Sequence, residues 1–340
     1  MVRIVACLLL LVYFPGEAQR QSPQPSVVFD LKPYGFLVTR SIQNNTTLGF
    51  SSDKKIGVHI DQCQISAKCE NSLLSIDLQE SKILSHAIGF PNPVIFLPGG
   101  DILYFEARRL DLYSPDLKLM ASHSSVTGQP LNFAARSPLV ALSPDGLSVA
   151  IPTGDGSEIL ATGDLRVLHK TQGAILALGE DRWFLKKRLS EMTEQMYSNN
   201  IVKDVRQIAL HKCGIEPFYL TSQLVLMSTC DGYLTVSDNN GHLRYRLKVD
   251  GELAVLPDST GNRFLSEVYV MKTLDFSGTA QYKKIVVQVF QTDSGKELFH
   301  MEDVPSDKEP TWAHYVALSP SGRRLAVIRD GILKVYDVAH

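Results

Sequence analysis

Short apolar runs alternate with polar turns along most of this chain, a pattern typical of antiparallel β-structure. The clearest example is Val140–Ile151 (VALSPDGLSVAI), which returns near the end of the chain as Val316–Ile328 (VALSPSGRRLAVI). Each copy has an apolar triplet, a Ser-Pro-x-Gly turn and a second apolar run. Ser143 and Ser319 are 319 − 143 = 176 residues apart, or four units of 44. This is the repeat length of a four-stranded propeller blade.

Similar turns recur between and before these two copies. Counting Ser143 and Ser319, the turns lie at Ser51, Leu97, Ser143, Gly179, Thr221, Pro257 and Ser319. Seven turns span 319 − 51 = 268 residues, which gives a mean interval close to 45. The last interval, 319 − 257 = 62, predicts an insertion. The spacing therefore predicts an all-β, seven-bladed β-propeller.

The second half of each unit reads as a hairpin, because two alternating runs flank a polar turn. Examples are Tyr233–Ser237 with Leu243–Val249, Ile285–Gln291 with Glu297–Met301, Leu73–Leu78 with Lys82–His86, and Leu110–Tyr113 with Leu117–Ser122. One stretch differs: Leu185, Leu189, Met192 and Met196 are spaced 4, 3 and 4 apart. This spacing predicts a short helical segment in the fourth unit, which packing explains better than a partner-binding helix.

The two ends of the repeat array are complementary. After Ser319 the last unit lacks one strand, and before Ser51 there is at least one strand too many. We therefore expect an N-terminal strand, either Val27–Leu31 or Phe36–Arg40, to complete the C-terminal blade. The propeller domain would then cover residues 27–340.

The N-terminus has the features of a secretory signal peptide. Arg3 precedes the apolar run Ile4–Phe14, and small residues stand at Gly16 and Ala18. We predict cleavage after Ala18, a flexible leader over residues 19–26, and export to the periplasm or the extracellular space. Neither this run nor any later one approaches the roughly 20 apolar residues of a membrane span, so we expect none.

Four cysteines remain after residues 1–18 are removed: Cys63, Cys69, Cys213 and Cys230. In an exported chain an even number makes disulfides plausible. Cys63 and Cys69 lie in one polar segment where a short loop could bridge them. Cys213 and Cys230 flank one strand-turn-strand unit, and are as consistent with buried thiols as with a bridge.

Charge and composition exclude several classes of partner. The chain is 44% apolar and 21% charged, and its net charge is −2. Its longest basic run is Lys186–Arg188. Binding to nucleic acid or to an anionic membrane needs a concentrated positive field, so we expect neither partner.

Two stretches carry a family resemblance. Leu142–Gly146 (LSPDG) and Leu318–Val327 (LSPSGRRLAV) resemble the SPDG-type repeats of WD-repeat and TolB-like β-propellers. Asp330–Val338 (DGILKVYDV) is similar to the end of a WD repeat, with Tyr336 in place of Trp. The resemblance implies a propeller fold and no particular activity. The chain departs from true WD repeats because Gly241-His242 falls in a hairpin turn, not before a first strand.

No local catalytic or cofactor motif occurs. The chain lacks His-Glu-x-x-His, Gly-x-Ser-x-Gly and a phosphate-binding loop, and we expect no cofactor and no metal. Of nine histidines, His211 and His314 could face the central channel, although a turn or core position explains each more simply. Trp183 and Trp312 are expected to pack between blades.

These features favour a monomeric, non-enzymatic protein that binds a protein or small-molecule ligand at one propeller face. The alternative is a secreted propeller enzyme, hydrolase- or lactonase-like, whose residues converge from several blades at the channel mouth. Convergent His, Asp or Glu side chains would favour the enzyme.

Overall fold

The computed structural model describes residues 23–38, 42–44, 46–64, 70–89, 94–106, 109–124, 140–154, 156–179, 182–190, 193–200, 206–208, 217–221, 223–229, 232–238, 242–249, 252–274, 280–304 and 315–339. Its first elements are β1 (Val27–Asp30) and a 3-10 turn, Lys32–Tyr34.

The remaining strands follow in chain order and are grouped here by sheet. Sheet 1 contains β2 (Ile42–Asn44), β3 (Thr47–Ser52), β4 (Lys55–Gln64), β5 (Glu70–Asp77) and β6 (Lys82–Ile88). Sheet 2 contains β7 (Val94–Phe96), β8 (Ile102–Glu106), β9 (Arg109–Tyr113) and β10 (Leu119–His123). Sheet 3 contains β11 (Ala141–Leu142), β12 (Ser148–Thr153), β13 (Gly156–Ala161) and β14 (Val167–Thr171).

Sheet 4 contains β15 (Ala174–Leu178), β16 (Arg182–Ser190), β17 (Thr193–Asn200) and β18 (Arg206–Ile208). Sheet 5 contains β19 (Pro217–Tyr219), β20 (Leu224–Thr229), β21 (Tyr233–Asp238) and β22 (Leu243–Lys248). Sheet 6 contains β23 (Glu252–Pro257), β24 (Arg263–Leu274), β25 (Ala280–Gln291) and β26 (Glu297–Asp303). Sheet 7 contains β27 (Val316–Leu318), β28 (Arg324–Arg329), β29 (Ile332–Asp337) and β1.

The sheets are antiparallel meanders arranged as a propeller, which confirms the predicted all-β propeller fold. Six of them have the four strands of a propeller blade, and sheet 1 has five. The first strands of neighbouring sheets lie against one another: β27 contacts β23 and β3, β3 contacts β7, and β15 contacts β11 and β19. These first strands therefore form the inner edge of the molecule.

The N-terminal strand completes the last sheet. β1 pairs with β29 in antiparallel register, from Val27 opposite Val335 to Asp30 opposite Ile332. Two candidate strands were predicted for this position, and the first of them, Val27–Leu31, contains the strand that pairs with β29. The alternative, beginning at Phe36, is wrong: Phe36 follows the 3-10 turn, is buried, and packs its ring edge-on against Tyr315 at 5.7 Å.

The recurring Ser-Pro-x-Gly sequence is a structural turn. The Ser143 hydroxyl oxygen accepts the Ser148 amide at 2.9 Å, and the Ser319 hydroxyl oxygen accepts the Arg324 amide at 3.1 Å. The glycine of each turn, Gly146 or Gly322, has a φ near +70° (73° and 68°), a conformation that favours glycine. The motif repeats because it joins the first and second strands of a sheet.

The helical segment predicted from Leu185, Leu189, Met192 and Met196 is wrong, since this stretch forms the hairpin β16–β17. Positions four apart also share one side of a strand. The interval of three, from Leu189 to Met192, spans the turn that joins the two strands. The four residues therefore have the spacing expected of a helix although they lie on a hairpin. The predicted insertion before Ser319 is also explained in part, because β24 and β25 each have 12 residues.

The core lies between sheets. The largest apolar cluster joins sheet 7 to sheet 1 and includes Leu31, Ile56, Tyr315 and Leu333, all buried. Trp183 of sheet 4 packs against buried residues of sheet 3, as predicted for this tryptophan; Trp312 lies outside the described residues. Within the described part of the chain, no helix is long and apolar enough to cross a membrane.

The closing segment should contribute strongly to stability. Leu31 has no exposed surface and packs between sheets 7 and 1. We expect Leu31→Ala to lower the free energy of unfolding by about 2–5 kcal/mol, because it leaves a cavity in a packed seam. Denaturant titration followed by circular dichroism measures this change.

Val28→Ala is the matched control. Val28 lies on the same segment but is 55% exposed, so its truncation should cost less than about 0.5 kcal/mol. Equal losses for the two variants would show that the segment does not pack into the seam.

Candidate interaction face

Two hairpins extend beyond the rest of their sheets. In sheet 6, β24 and β25 remain paired as far as Leu274 opposite Ala280. The pairing of β23 ends at Tyr269, and that of β26 ends at Ile285. The last five residues of β24 and the first five of β25 therefore form a two-stranded ribbon without these neighbours.

Sheet 4 has a smaller extension of the same kind. β16 and β17 remain paired as far as Ser190 opposite Thr193, whereas the pairing of β15 ends at Lys186. β18 pairs only with Met196–Ser198 of β17. The tip of this hairpin also projects past its sheet.

Both hairpins project from the same end of the propeller. Connections in an antiparallel meander alternate between the two ends of the sheet. Throughout the propeller the turns between second and third strands therefore lie at one end. The turns between first and second strands, which include the Ser-Pro-x-Gly turns of sheets 3 and 7, lie at the other. We call the first end the hairpin face and the second the turn face.

Below the hairpin face, a buried ion pair joins sheets 6 and 7. The Arg329 guanidinium donates to Glu267 and to Asp303, each at 3.0 Å. Glu267 is fully buried, and the Arg329 side chain is 12% exposed. A buried carboxylate is tolerated only when it is paired and hydrogen-bonded, so this cluster constrains the angle between the sheets.

A second buried carboxylate joins sheets 2 and 3. Glu158 of β13 is 2.8 Å from the ring nitrogen Nε2 of His123 on β10, and 2.7 Å from the ammonium of Lys170. Only 6% of the Glu158 side chain is exposed. This cluster connects the outer strand of sheet 2 to the third strand of sheet 3.

The seam between sheets 1 and 2 is also polar. Asp111 of β9 is fully buried and accepts hydrogen bonds from Arg109 at 2.9 Å and from Ser122 at 2.6 Å. His59 and Asp61 of β4 are buried in sheet 1. Burial, and then the charge of Asp111, raises the pKa of the Tyr113 hydroxyl. The bond from Ser122 to Asp111 connects β10 to β9 within sheet 2.

On the turn face, short contacts join the neighbouring turns of sheets 6, 7 and 1. Asp53 of sheet 1 accepts the Ser321 amide of sheet 7 at 3.2 Å. From sheet 6, Ser259 donates to the Pro320 carbonyl at 3.1 Å and Arg263 to the Gly322 carbonyl at 3.0 Å. These bonds occupy backbone groups that a ligand would otherwise use.

The described residues do not test the site residues predicted from the sequence. Cys69, Cys213, Cys230, His211 and His314 lie outside the described residues. Cys63 belongs to β4, where its backbone lies opposite Gln43, but its side chain is not described. The disulfides and the channel-facing histidines therefore stay predictions. Among the described residues, no group of three or more His, Cys, Asp or Glu could hold a metal ion.

The buried carboxylates of the seams were not predicted from the sequence. Glu267 stands in the apolar run FLSEVYV, and Asp111 stands in RLDLY. A single acid inside a strand of otherwise apolar residues was the available signal, because such a charge needs a partner from a neighbouring sheet.

Removing the cation of the sheet 6–7 cluster should be costly. Arg329→Met leaves Glu267 and Asp303 without their guanidinium, and we expect a loss of about 3–5 kcal/mol in the free energy of unfolding. Arg166→Met is the control, because the exposed Arg166–Asp164 pair, at 3.7 Å, should contribute no more than about 0.5 kcal/mol. If denaturant titration gives the two variants similar stabilities, Arg329 does not stabilise the seam.

The Asp53 contact should make stability depend on pH. Burial raises the pKa of Asp53, but hydrogen bonds from Ser321 and Ser319 and the charge of Arg324 outweigh it and lower the pKa below the ordinary 3.8. A carboxyl with a depressed pKa stabilises the fold above its unfolded pKa, and this contribution is lost as the pH falls through the folded pKa. We therefore expect the stability advantage over Asp53→Asn to be constant above about pH 5 and to shrink below about pH 4.

Thermal unfolding of both proteins across this pH range measures the difference. An advantage that grows on acidification would contradict the assigned direction.

The comparisons with known proteins concern the fold. No protein-family model matches the chain, and no curated protein matches its sequence. The crystal structure of the RRP9 WD40 repeats is similar, with a TM-score of 0.55 and 9% identity, over 94% of this chain and 99% of that one. Raptor from Chaetomium thermophilum is similar with a TM-score of 0.59 and 11% identity, over 94% of this chain and 29% of that one. These similarities show that the chain has the fold of a WD40-type β-propeller.

Proposed function

We propose that this chain is an exported, seven-bladed β-propeller that binds a partner protein on its hairpin face. The single observation that carries the proposal is the β24–β25 ribbon, which stands beyond its own sheet without a neighbour on either edge in the described part of the molecule.

The seventh blade in this proposal is the five-stranded sheet 1. β2 and β3 pair with the same strand: β2 with its end, Gln62–Gln64, and β3 with its first half, Lys55–His59. They are therefore two segments of one interrupted inner strand. β3 also contacts the inner strands β27 and β7 on either side, which supports counting sheet 1 as a blade.

The ribbon suits protein binding because its two strands extend past the paired parts of β23 and β26. A two-stranded hairpin is marginally stable by itself, so covering it with a partner would stabilise both. Its sequence combines apolar residues, Val270, Met271 and Leu274, with Lys283 and Lys284. Methionine is enriched at protein interfaces, whose centres are apolar and whose rims are polar.

The structural neighbours give limited support. They share the propeller fold at 9% and 11% identity, and this fold hosts many unrelated functions. No observation on the described residues favours the alternative of a propeller hydrolase. Export rests on the sequence of residues 1–18.

Shortening the ribbon tests the function. Replacing residues 271–283 by Asn-Gly joins Val270 directly to Lys284, its cross-strand neighbour, through a favourable two-residue turn. We expect the variant to remain folded and to lose cross-links to the partner at least tenfold. The measurement is cross-linking and quantitative mass spectrometry in the compartment where the protein resides.

Leu147→Glu is the control, since Leu147 is 69% exposed on the turn face and should leave the cross-links unchanged. If the shortened protein keeps all the cross-links of the wild type, the hairpin face is not the binding surface.

A further inference from the structure

We propose that Asp258 makes the contact between sheets 6 and 7 depend on pH, so that this contact tightens when the medium becomes acidic. The contact lies on the turn face, where the turn that joins β23 to β24 meets the turn that joins β27 to β28. It does not involve the hairpin face. The inference therefore goes beyond the proposed function and does not rest on it.

Asp258 occupies a position at which the turns of sheets 3 and 7 have serine, Ser143 and Ser319. The Asp258 amide donates to the Arg263 carbonyl at 2.9 Å, as the Ser143 amide does to the Ser148 carbonyl. A serine side chain is uncharged, whereas an aspartate side chain is charged above its pKa. Sheet 6 therefore has a titratable group at a point where sheets 3 and 7 have none.

One oxygen of the Asp258 carboxylate has its partners within its own turn. Oδ1 accepts the Thr260 amide at 3.1 Å, the Thr260 hydroxyl at 3.0 Å and the Asn262 amide at 3.0 Å. These three bonds hold the side chain in one orientation, which determines where the second oxygen lies.

The second oxygen, Oδ2, lies against sheet 7. It is buried and has no hydrogen-bond partner among the described residues. A Cβ atom placed on Gly322 would be 2.6 Å from it. Asp258 as a whole is 1% exposed, so little solvent reaches this oxygen. An unpaired charge in such surroundings is costly, and here the cost opposes the close approach of the two turns.

The cations of the two turns bind other groups. Arg263 donates to the Gly322 carbonyl at 3.0 Å, and Arg324 lies 3.5 Å from Asp337. No ion pair of the described residues includes Asp258. The other charged side chains of the neighbouring turns are Asp53 and Lys54 of sheet 1, Asp293 and Lys296 of sheet 6, and Arg323 of sheet 7.

The direction of the pH dependence follows from these surroundings. Burial raises the pKa of Asp258 above the ordinary 3.8, and the hydrogen bonds from its own turn offset this effect only in part. A carboxyl with a raised folded pKa costs stability while it is charged, and this cost is removed as the pH falls through the folded pKa. Asp53, which contacts the same turn of sheet 7 from sheet 1, has the opposite direction. Acid therefore weakens the contact with sheet 1 and strengthens the contact with sheet 6.

Two variants remove the charge. Asp258→Ser introduces the residue of the equivalent turns, and Asp258→Asn keeps the shape of the side chain. The wild type gains stability on acidification and the variants do not. We therefore expect the melting temperature of each variant, relative to the wild type, to fall by about 1 °C or more between about pH 7 and about pH 4. Thermal unfolding of the full-length proteins measures this change.

Asp116→Asn is the matched control, because Asp116 is exposed on the same face. It should melt with the wild type at every pH. A hydrogen bond lost within the turn would shift a variant equally at all pH values, so only the change with pH is decisive. A difference that stays constant, or that grows in favour of the variants on acidification, would overturn the inference.

Hydrogen exchange locates the effect. The wild type and Asp258→Asn are compared at the same pH, so that intrinsic exchange rates cancel. Near neutral pH we expect the amides of residues 319–323 of sheet 7 to exchange about threefold more slowly in the variant, and in acid we expect equal rates. The equivalent turn of sheet 3, residues 143–147, should exchange alike in both proteins.

Equal exchange of residues 319–323 near neutral pH would show that the charge does not act on the contact with sheet 7, and would also overturn the inference. The ribbon-shortened protein should keep the same pH dependence. This test can therefore fail while the function proposed for the hairpin face stands, and the reverse is also true.

Discussion

The structure depends on apolar packing between neighbouring sheets, and above all at the seam where the chain meets its own beginning. A sheet with two apolar sides has to be covered on both. A linear array of sheets would leave one apolar side of its first sheet and one of its last sheet exposed to water. In a ring every sheet has a neighbour on both sides. The chain achieves this by placing Leu31 and Phe36, from its N-terminal segment, against Ile56 and Leu333.

Polar interactions between neighbouring sheets help to set the orientation of one sheet relative to the next. Glu267 and Glu158 are buried carboxylates that bind cations across a seam. Such pairs contribute little net stability compared with apolar residues of the same size, but a carboxylate left without its partner is costly. They therefore favour one arrangement of adjacent sheets over others. The hairpin face is held in position by this packing.

Much of the fold could be predicted from the sequence because its main signals are local. The turns at Ser143 and Ser319 depend on hydrogen bonds within a few residues. The same short sequence motif therefore forms the same turn in both sheets. The N-terminal strand could be predicted because the last unit of the repeat lacked one strand. The choice between the strands beginning at Val27 and at Phe36 depended on tertiary contacts. The spacing from Leu185 to Met196 misled because a hairpin and a helix can place apolar residues at similar intervals.

The candidate sites were less predictable because they depend on which strands end together and on which turns meet. No local pattern shows that β23 stops short of β24, or that Asp258 lies against Gly322 of sheet 7. Both facts follow from pairing and packing between residues that are distant in the chain. The seam clusters were equally hidden, since Arg329 and Glu267 are 329 − 267 = 62 residues apart.

Closure of the ring by the N-terminal strand is the central claim, and amide hydrogen exchange tests it most directly. The Ser26 amide donates to the Val335 carbonyl at 2.7 Å, and the Leu31 amide donates to the Gly331 carbonyl at 2.8 Å. If β1 is an integral strand of sheet 7, the amides of residues 26–31 that bond to β29 exchange as slowly as those of β28 and are released together with them. Fast exchange of residues 26–31 while β28 and β29 stay protected would contradict the closed ring.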